Sequence, residues 1–165
     1  MSDCCTPKSG RVPDPRSDRC PRCGAPGPRV DPITLKALLS GEGLKRGVPP
    51  APRFCGTPEC PVVYFDSAVP VVFEETHVTV TVHAKHPENG SVPVCYCFGH
   101  TPETIRRELA GTGRSSASET IAAEVKAGHC ACEVKNPKGT CCLGDVSKVE
   151  RPDPSPALAA SEAIA

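Results

Sequence analysis

Twelve cysteines, all of them set in close pairs, constrain this chain more than any other feature. The pairs are Cys4-Cys5, Cys20-x-x-Cys23, Cys55-x4-Cys60, Cys95-x-Cys97, Cys130-x-Cys132 and Cys141-Cys142. A disulfide needs Cα atoms about 4.4 to 6.8 Å apart with aligned side chains, which near neighbours in sequence rarely offer one another. A metal ion instead needs several thiolates converging on one point, and paired loops supply that readily. Compartment argues the same way. The opening Met-Ser-Asp-Cys-Cys has neither the basic flank nor the apolar stretch of a signal peptide, and no apolar run approaches the roughly 20 residues that span a bilayer. A cytoplasmic location is the expectation, and in a reducing cytosol clustered cysteines mean metal.

The chain has little else to fold around. Four Phe, two Tyr and no Trp stand against 20 Pro and 14 Gly in 165 residues. Domains so poor in large apolar side chains need staples. Lys plus Arg and Asp plus Glu balance at 19 each, so no whole-chain field favours nucleic acid as a partner. The sequence holds no Gly-rich phosphate loop, Ser–His–Asp set or paired catalytic carboxylates, and an enzyme is not expected.

Patterning predicts an α+β chain in five stretches. Residues 1–18 read as a flexible arm and 148–165 as a disordered tail, both rich in proline and free of aromatic residues. Residues 19–68 hold the first cysteine pairs. In this stretch Ile33–Leu39 suits a short strand or one helical turn, the Gly- and Pro-rich 41–52 a flexible loop, and Val62–Phe65 a strand. Residues 69–93 read as a β-hairpin and connector, with Val78, Val80 and Val82 alternating against His77, Thr79, Thr81 and His83. Residues 94–147 change to helical signals. Thr101 suits an N-cap, Pro102 the first helical position, and Ile105 with Leu109 an i, i+4 pair, with Gly111 as terminator. A second helix is expected from about Ser116 to Lys126, stopped by Gly128.

Two constellations carry chemistry. Cys20-Pro21-Arg22-Cys23, followed about thirty residues later by Cys55-x4-Cys60, is a four-thiolate zinc pattern. Four soft ligands close a tetrahedron and leave no open position, so such a site is structural. Zinc binding of this kind supplies on the order of 10 kcal/mol of folding free energy. The second constellation is Cys95-x-Cys97, two helices, then the cysteines at 130–142. That spacing suits a [2Fe–2S] cluster, which takes two thiolates per iron, and zinc is the chemical alternative. The free N–H groups that open the first helix, four residues beyond Cys97, are expected to face the sulfurs.

Val94-Cys95-Tyr96-Cys97-Phe98, the helix pair and Gly128-His129-Cys130-Ala131-Cys132 resemble the [2Fe–2S] domain of bacterioferritin-associated ferredoxins. The stretch Cys132-Glu133-Val134-Lys135-Asn136-Pro137-Lys138-Gly139-Thr140-Cys141-Cys142 more specifically resembles the amino-terminal region of CopZ-type copper chaperones, in which a zinc module precedes a cluster domain. The likeness covers about residues 19–147. It implies a small zinc-knuckle or treble-clef-like module with a β-hairpin, followed by a helical ferredoxin-like [2Fe–2S] domain. By motif, zinc falls to Cys20, Cys23, Cys55 and Cys60. The cluster falls to Cys95, Cys97, one of Cys130 and Cys132, and one of Cys141 and Cys142. Cys132 and Cys142 are the choices, with Cys130 as a spare thiol.

Family members of this kind carry a second, copper-binding domain with a Met-x-Cys-x-x-Cys loop. No cysteine follows Cys142 here and the single Met is Met1, so that half is expected to be missing. The resemblance implies an electron-transfer or accessory metallochaperone role in copper or heavy-metal handling. A redox or metal-transfer protein is the expected partner, and a metal-exporting membrane pump an indirect one. Metal-ion reduction through the cluster is a further reading, and a non-redox zinc-binding interaction or sensor module is the alternative. Cys4 and Cys5 are able to capture Cu+, though a solvent-exposed pair without a partner is favoured because ordering a flexible arm costs entropy. His77 and His83 read as surface residues, His100 and His129 as helix-end histidines, and Arg106 and Arg107 as a solvated face.

Overall fold

The computed structural model describes residues 18–151; Cys4, Cys5 and most of the expected arm and tail lie outside them. The fold is α+β: two short helices, a small antiparallel sheet, then four more helices among the described residues. Helix α1 (Pro32–Leu38) forms because Asp31 accepts from the Ile33 N–H at 2.9 Å and Pro32 pre-sets the first turn. A short helix, α2 (Gly41–Lys45), follows where a flexible loop was expected. Ser40 caps it, its Oγ accepting from the Gly43 N–H at 3.2 Å.

The sheet has the order β1 (Arg53–Phe54), β2 (Val62–Phe65), β3 (Val72–Glu74). Phe54 pairs with Tyr64, and Phe65 pairs with both Arg53 and Val72. All four residues of β2 are buried. A register shift between Val62 and Tyr64 breaks strict alternation. Val62 and Phe65 pack with Cys20, Cys55 and Cys60, whereas Val63 and Tyr64 join Leu35, Leu39, Phe54, Phe73 and Val82 in the first core.

The hairpin expected over 69–93 is mostly absent. Beyond β3 the chain turns at Glu75–His77 and again at His83–Lys85. Glu74 and His77 cap each other reciprocally across the first turn. The alternating valines find no partner strand. Val78 makes a single bridge with Leu39, the Thr79 N–H bonds Leu38 O at 2.8 Å, and the Val82 N–H bonds Glu75 Oε1 at 2.8 Å.

Four helices build the remainder. Helix α3 (Pro102–Thr112) opens on Thr101 in a reciprocal cap with Thr104. It runs through Gly111 and stops at Gly113, whose φ of +73° is the left-handed conformation that ends helices. Helix α4 (Ala117–Lys126), α5 (Cys132–Lys135) and α6 (Leu143–Glu150) complete the order. The last runs past 147, where the disordered tail was expected to begin. Val146 is its buried residue, meeting Ile105, Ala117 and Ile121 in a second core that also holds Val94, Cys95, Cys132 and Cys142.

The two cores are not separate bodies joined by a connector. Helix α5 packs on α1, and the segment after it reaches into the first core. Thr34 Oγ1 donates to Glu133 O at 2.6 Å, and the buried Tyr64 hydroxyl donates to Pro137 O at 2.8 Å. Gly139, at φ +65°, passes so close that a Cβ there would stand 2.8 Å from Thr34 Oγ1.

Candidate metal centres

The first centre grows from two turns. After Cys20 the chain folds back, with the Gly24 N–H on Cys20 O and the Cys20 N–H on Ala25 O, both at 2.8 Å. Gly24 supplies the positive φ that this turn needs. On the other side, the Cys55 N–H is fixed to Val63 O at 2.8 Å, and the turn to Cys60 closes through the Cys60 N–H on Thr57 O at 3.2 Å. The buried Lys85 holds this turn by donating to Thr57 O at 2.9 Å. The four sulfurs converge, all within 4.8 Å of one another. Cys20 and Cys60 sulfurs are 3.8 Å apart, and those of Cys23 and Cys55 are 3.6 Å apart. A tetrahedral ion bonded to sulfur at about 2.3 Å requires edges of about 3.8 Å. The set is that size.

Electrostatics shows why such a set needs a cation. The Thr57 hydroxyl holds the exposed Cys23 thiol down at about 6. Burial pushes Cys60 up to about 12 and raises Cys20 as well. One thiolate forms readily, and further ionisation requires positive charge at the centre.

The second centre lies in the second core. Cys95 and Cys142 are 0% and 1% exposed and hydrogen-bonded to each other. Cys97 and Cys132 form another pair, with sulfurs 3.6 Å apart. The Cys142 thiol holds Cys95 down at about 6, while the shared hydrogen bond and burial raise Cys142 itself. Burial raises Cys97 and Cys132. Among the last two cysteines the contrast is clear, since Cys141 is exposed. Cys130 is half-buried, its sulfur 3.2 Å from that of Cys132, so that Cys97, Cys130 and Cys132 form a three-sulfur group.

Backbone donors reach these sulfurs, though not those expected. The opening of α3 is occupied elsewhere: Pro102 has no N–H, the Glu103 N–H bonds Gly90 O at 2.9 Å, and that of Thr104 bonds Thr101 Oγ1. Instead the Ala131 N–H donates to Cys97 Sγ at 3.4 Å, backbone N–H groups of Cys97 and Phe98 serve Cys95, and that of Cys142 serves Cys132. Thiol pairs in an apolar pocket, with amide donors on sulfur, suit a group that takes two thiolates per iron.

His100 stands beside the second centre, its carbonyl accepting from the Cys95 N–H at 3.1 Å and its charge helping to hold the Cys95 thiol down, whereas His77 and His129 are engaged elsewhere. His77 bonds the Glu74 N–H and Arg46, and His129 pairs with Glu124 at 2.7 Å. His83 is not the surface residue expected. It is half-buried where the two cores meet, its Nδ1 enclosed without a hydrogen-bond partner, and burial pushes its imidazole down. Arg107 pairs with Glu103 at 2.6 Å. Sequence reasoning missed the residues that tie the two halves together, Thr34 on Glu133 O and Tyr64 on Pro137 O, and those that brace each side, Lys85 on Thr57 O and the pair formed by Lys138 and Asp145 at 2.6 Å. Only Asn136-Pro137-Lys138-Gly139, a turn-forming run, hinted at them.

The zf_CopZ family model, described as a zinc binding domain, matches residues 17–79, a reach that extends past 68 into the expected connector. The copper chaperone CopZ of Archaeoglobus fulgidus is 34% identical over 124 residues, which are 75% of this chain and 57% of that relative. The chain thus spans little more than half of that curated relative. The X-ray structure of the Archaeoglobus fulgidus CopZ N-terminal domain superposes with a TM-score of 0.65 at 32% identity, covering 82% of this chain and 99% of that one.

Proposed function

This chain belongs to the CopZ family of zinc-binding metal-handling proteins, and on that premise we propose that it carries one structural zinc and one [2Fe–2S] cluster. It is a metal-binding protein, not an enzyme. Cys20, Cys23, Cys55 and Cys60 hold the zinc; Cys95, Cys97, Cys132 and Cys142 hold the cluster. The observation that carries the reading is the division of the sulfurs. One complete four-thiol set stands in the first module, and two thiol pairs with amide donors share the apolar second core.

The cluster, when bound, supplies one-electron redox chemistry. The chain's own part is to keep water from the inner pair Cys95 and Cys142, to orient sulfur with backbone N–H groups, and to brace the 132–142 segment against the zinc module. We read the role as electron transfer or accessory metallochaperone work in the cytoplasm, with a redox or metal-transfer protein as partner.

Anaerobic purification with metal, sulfide and visible-absorption analysis tests this. About two iron, two labile sulfides and one zinc per chain, with a red-brown colour, are expected. A second reading, two mononuclear zinc sites and no redox role, draws on the ready three-sulfur group of Cys97, Cys130 and Cys132. A colourless protein with about two zinc per chain would establish that reading instead.

A further inference from the structure

Cys130 is left over from both ligand sets, yet it is not placed as a bystander. It lies on the irregular segment between Gly128 and α5, two residues from Cys132. Its S–H points at Cys132 Sγ across 3.2 Å, and Cys97 Sγ completes a group of three within 4.8 Å. That separation is shorter than the edge of about 3.8 Å between two sulfurs on one tetrahedral centre. At that separation either sulfur is able to take the same vertex. Cys97 is the partner common to both.

We infer that Cys130 and Cys132 are interchangeable ligands at a single position of the second centre, either one completing the set with Cys95, Cys97 and Cys142. The inference rests on the cluster reading above. Exchange balances without an outside reagent. The bond from metal to Cys130 Sγ forms as the bond to Cys132 Sγ breaks, and the proton on Cys130 passes to Cys132 along the existing S–H···S contact. No electron is gained or lost, and the charge of the centre is unchanged. The two thiols differ in setting: Cys132 is 5% exposed and opens helix α5, whereas Cys130 is half-buried on a backbone outside any helix. The two ligation states therefore place different sulfur near solvent and need different spectra.

The test is anaerobic reconstitution with ferrous iron and sulfide of the full chain, of Cys130→Ala, of Cys132→Ala and of the double variant. Iron, labile sulfide, zinc and visible circular dichroism are read for each. The wild type and both single variants are expected to hold equal iron and sulfide, with distinct dichroism spectra for the two singles. The double variant is expected to lose about ten-fold or more of its iron. Retained zinc, at about one per chain, shows that each variant has folded. Loss of iron from Cys132→Ala alone, or from Cys130→Ala alone, overturns interchangeability. A double variant that keeps its iron also overturns it. A wild type without iron or sulfide overturns the cluster reading itself, and is recognised before any variant is compared.

Discussion

Two residues show how tightly the segment after α5 is held. Asp145 stands in the first turn of α6, and although burial works against its ionisation, Lys138 at 2.6 Å and Lys148 at 3.2 Å hold its carboxyl below the usual range. A carboxyl depressed in the folded state stabilises it fully above the ordinary carboxylate pKa, and that stabilisation fades as pH falls through the folded value. Asp145→Asn is therefore expected to cost about 1 to 2 kcal/mol at pH 7 and progressively less as pH falls below the ordinary carboxylate range. Urea unfolding across a descending pH series checks it. Gly139 makes a sharper case. An alanine there meets both the positive φ and Thr34, so Gly139→Ala is expected to destabilise by about 2 to 4 kcal/mol. Gly128→Ala shares the positive φ, at +79°, but faces open space, and is expected to cost only about 1 kcal/mol. The difference between the two unfolding free energies isolates the contact.

At the scale of elements, caps and partners decide what forms. Thr101 and Thr104 bond each other's backbone at the start of α3, so Thr101→Ala is expected to lower stability by about 1 kcal/mol, seen as a lower thermal midpoint of the helical dichroism. That cap was readable from Thr101-Pro102, as was β2 from its unbroken apolar run. The end of α3 was not, because Gly111 and Gly113 are both plausible stops and the positive φ at 113 belongs to the folded turn. The alternating run 78–82 was misleading for a different reason. Alternation describes a strand only if a second strand accepts its hydrogen bonds, and here Leu38 and Glu75 take them instead. The cysteines were the most legible feature, since spacing alone brought out the set that the structure draws together at Cys20, Cys23, Cys55 and Cys60. The donors to the second centre were hidden, because amide direction depends on tertiary turns that no local pattern records.

For the whole molecule, hydrogen bonds join the part read as a zinc module to the part read as a cluster domain. Thr34 and Tyr64 on one side hold Glu133 and Pro137 on the other. Residues 18–151 are therefore expected to unfold as one unit. Fluorescence of Tyr64 in a Tyr96→Phe variant, reporting the first core, and helical dichroism, weighted toward the second, should give the same midpoint in urea. Stripping zinc with a chelator should lower both together. Two separate midpoints would show that the modules are independent. The bond from Thr34 to Glu133 also links residues 99 positions apart. A chain made at about 5 to 20 residues per second needs roughly 5 to 20 s to cover that distance. In the later part of that interval, once Cys60 has been made, a nascent first core has Cys20, Cys23, Cys55 and Cys60 in hand but not the carbonyls that receive Thr34 and Tyr64. Metal captured on the ribosome then adds to the strand pairing and the bond from Thr79 to Leu38 that the first core already has, so zinc supplied during synthesis is expected to raise the yield of folded protein more than zinc supplied afterwards.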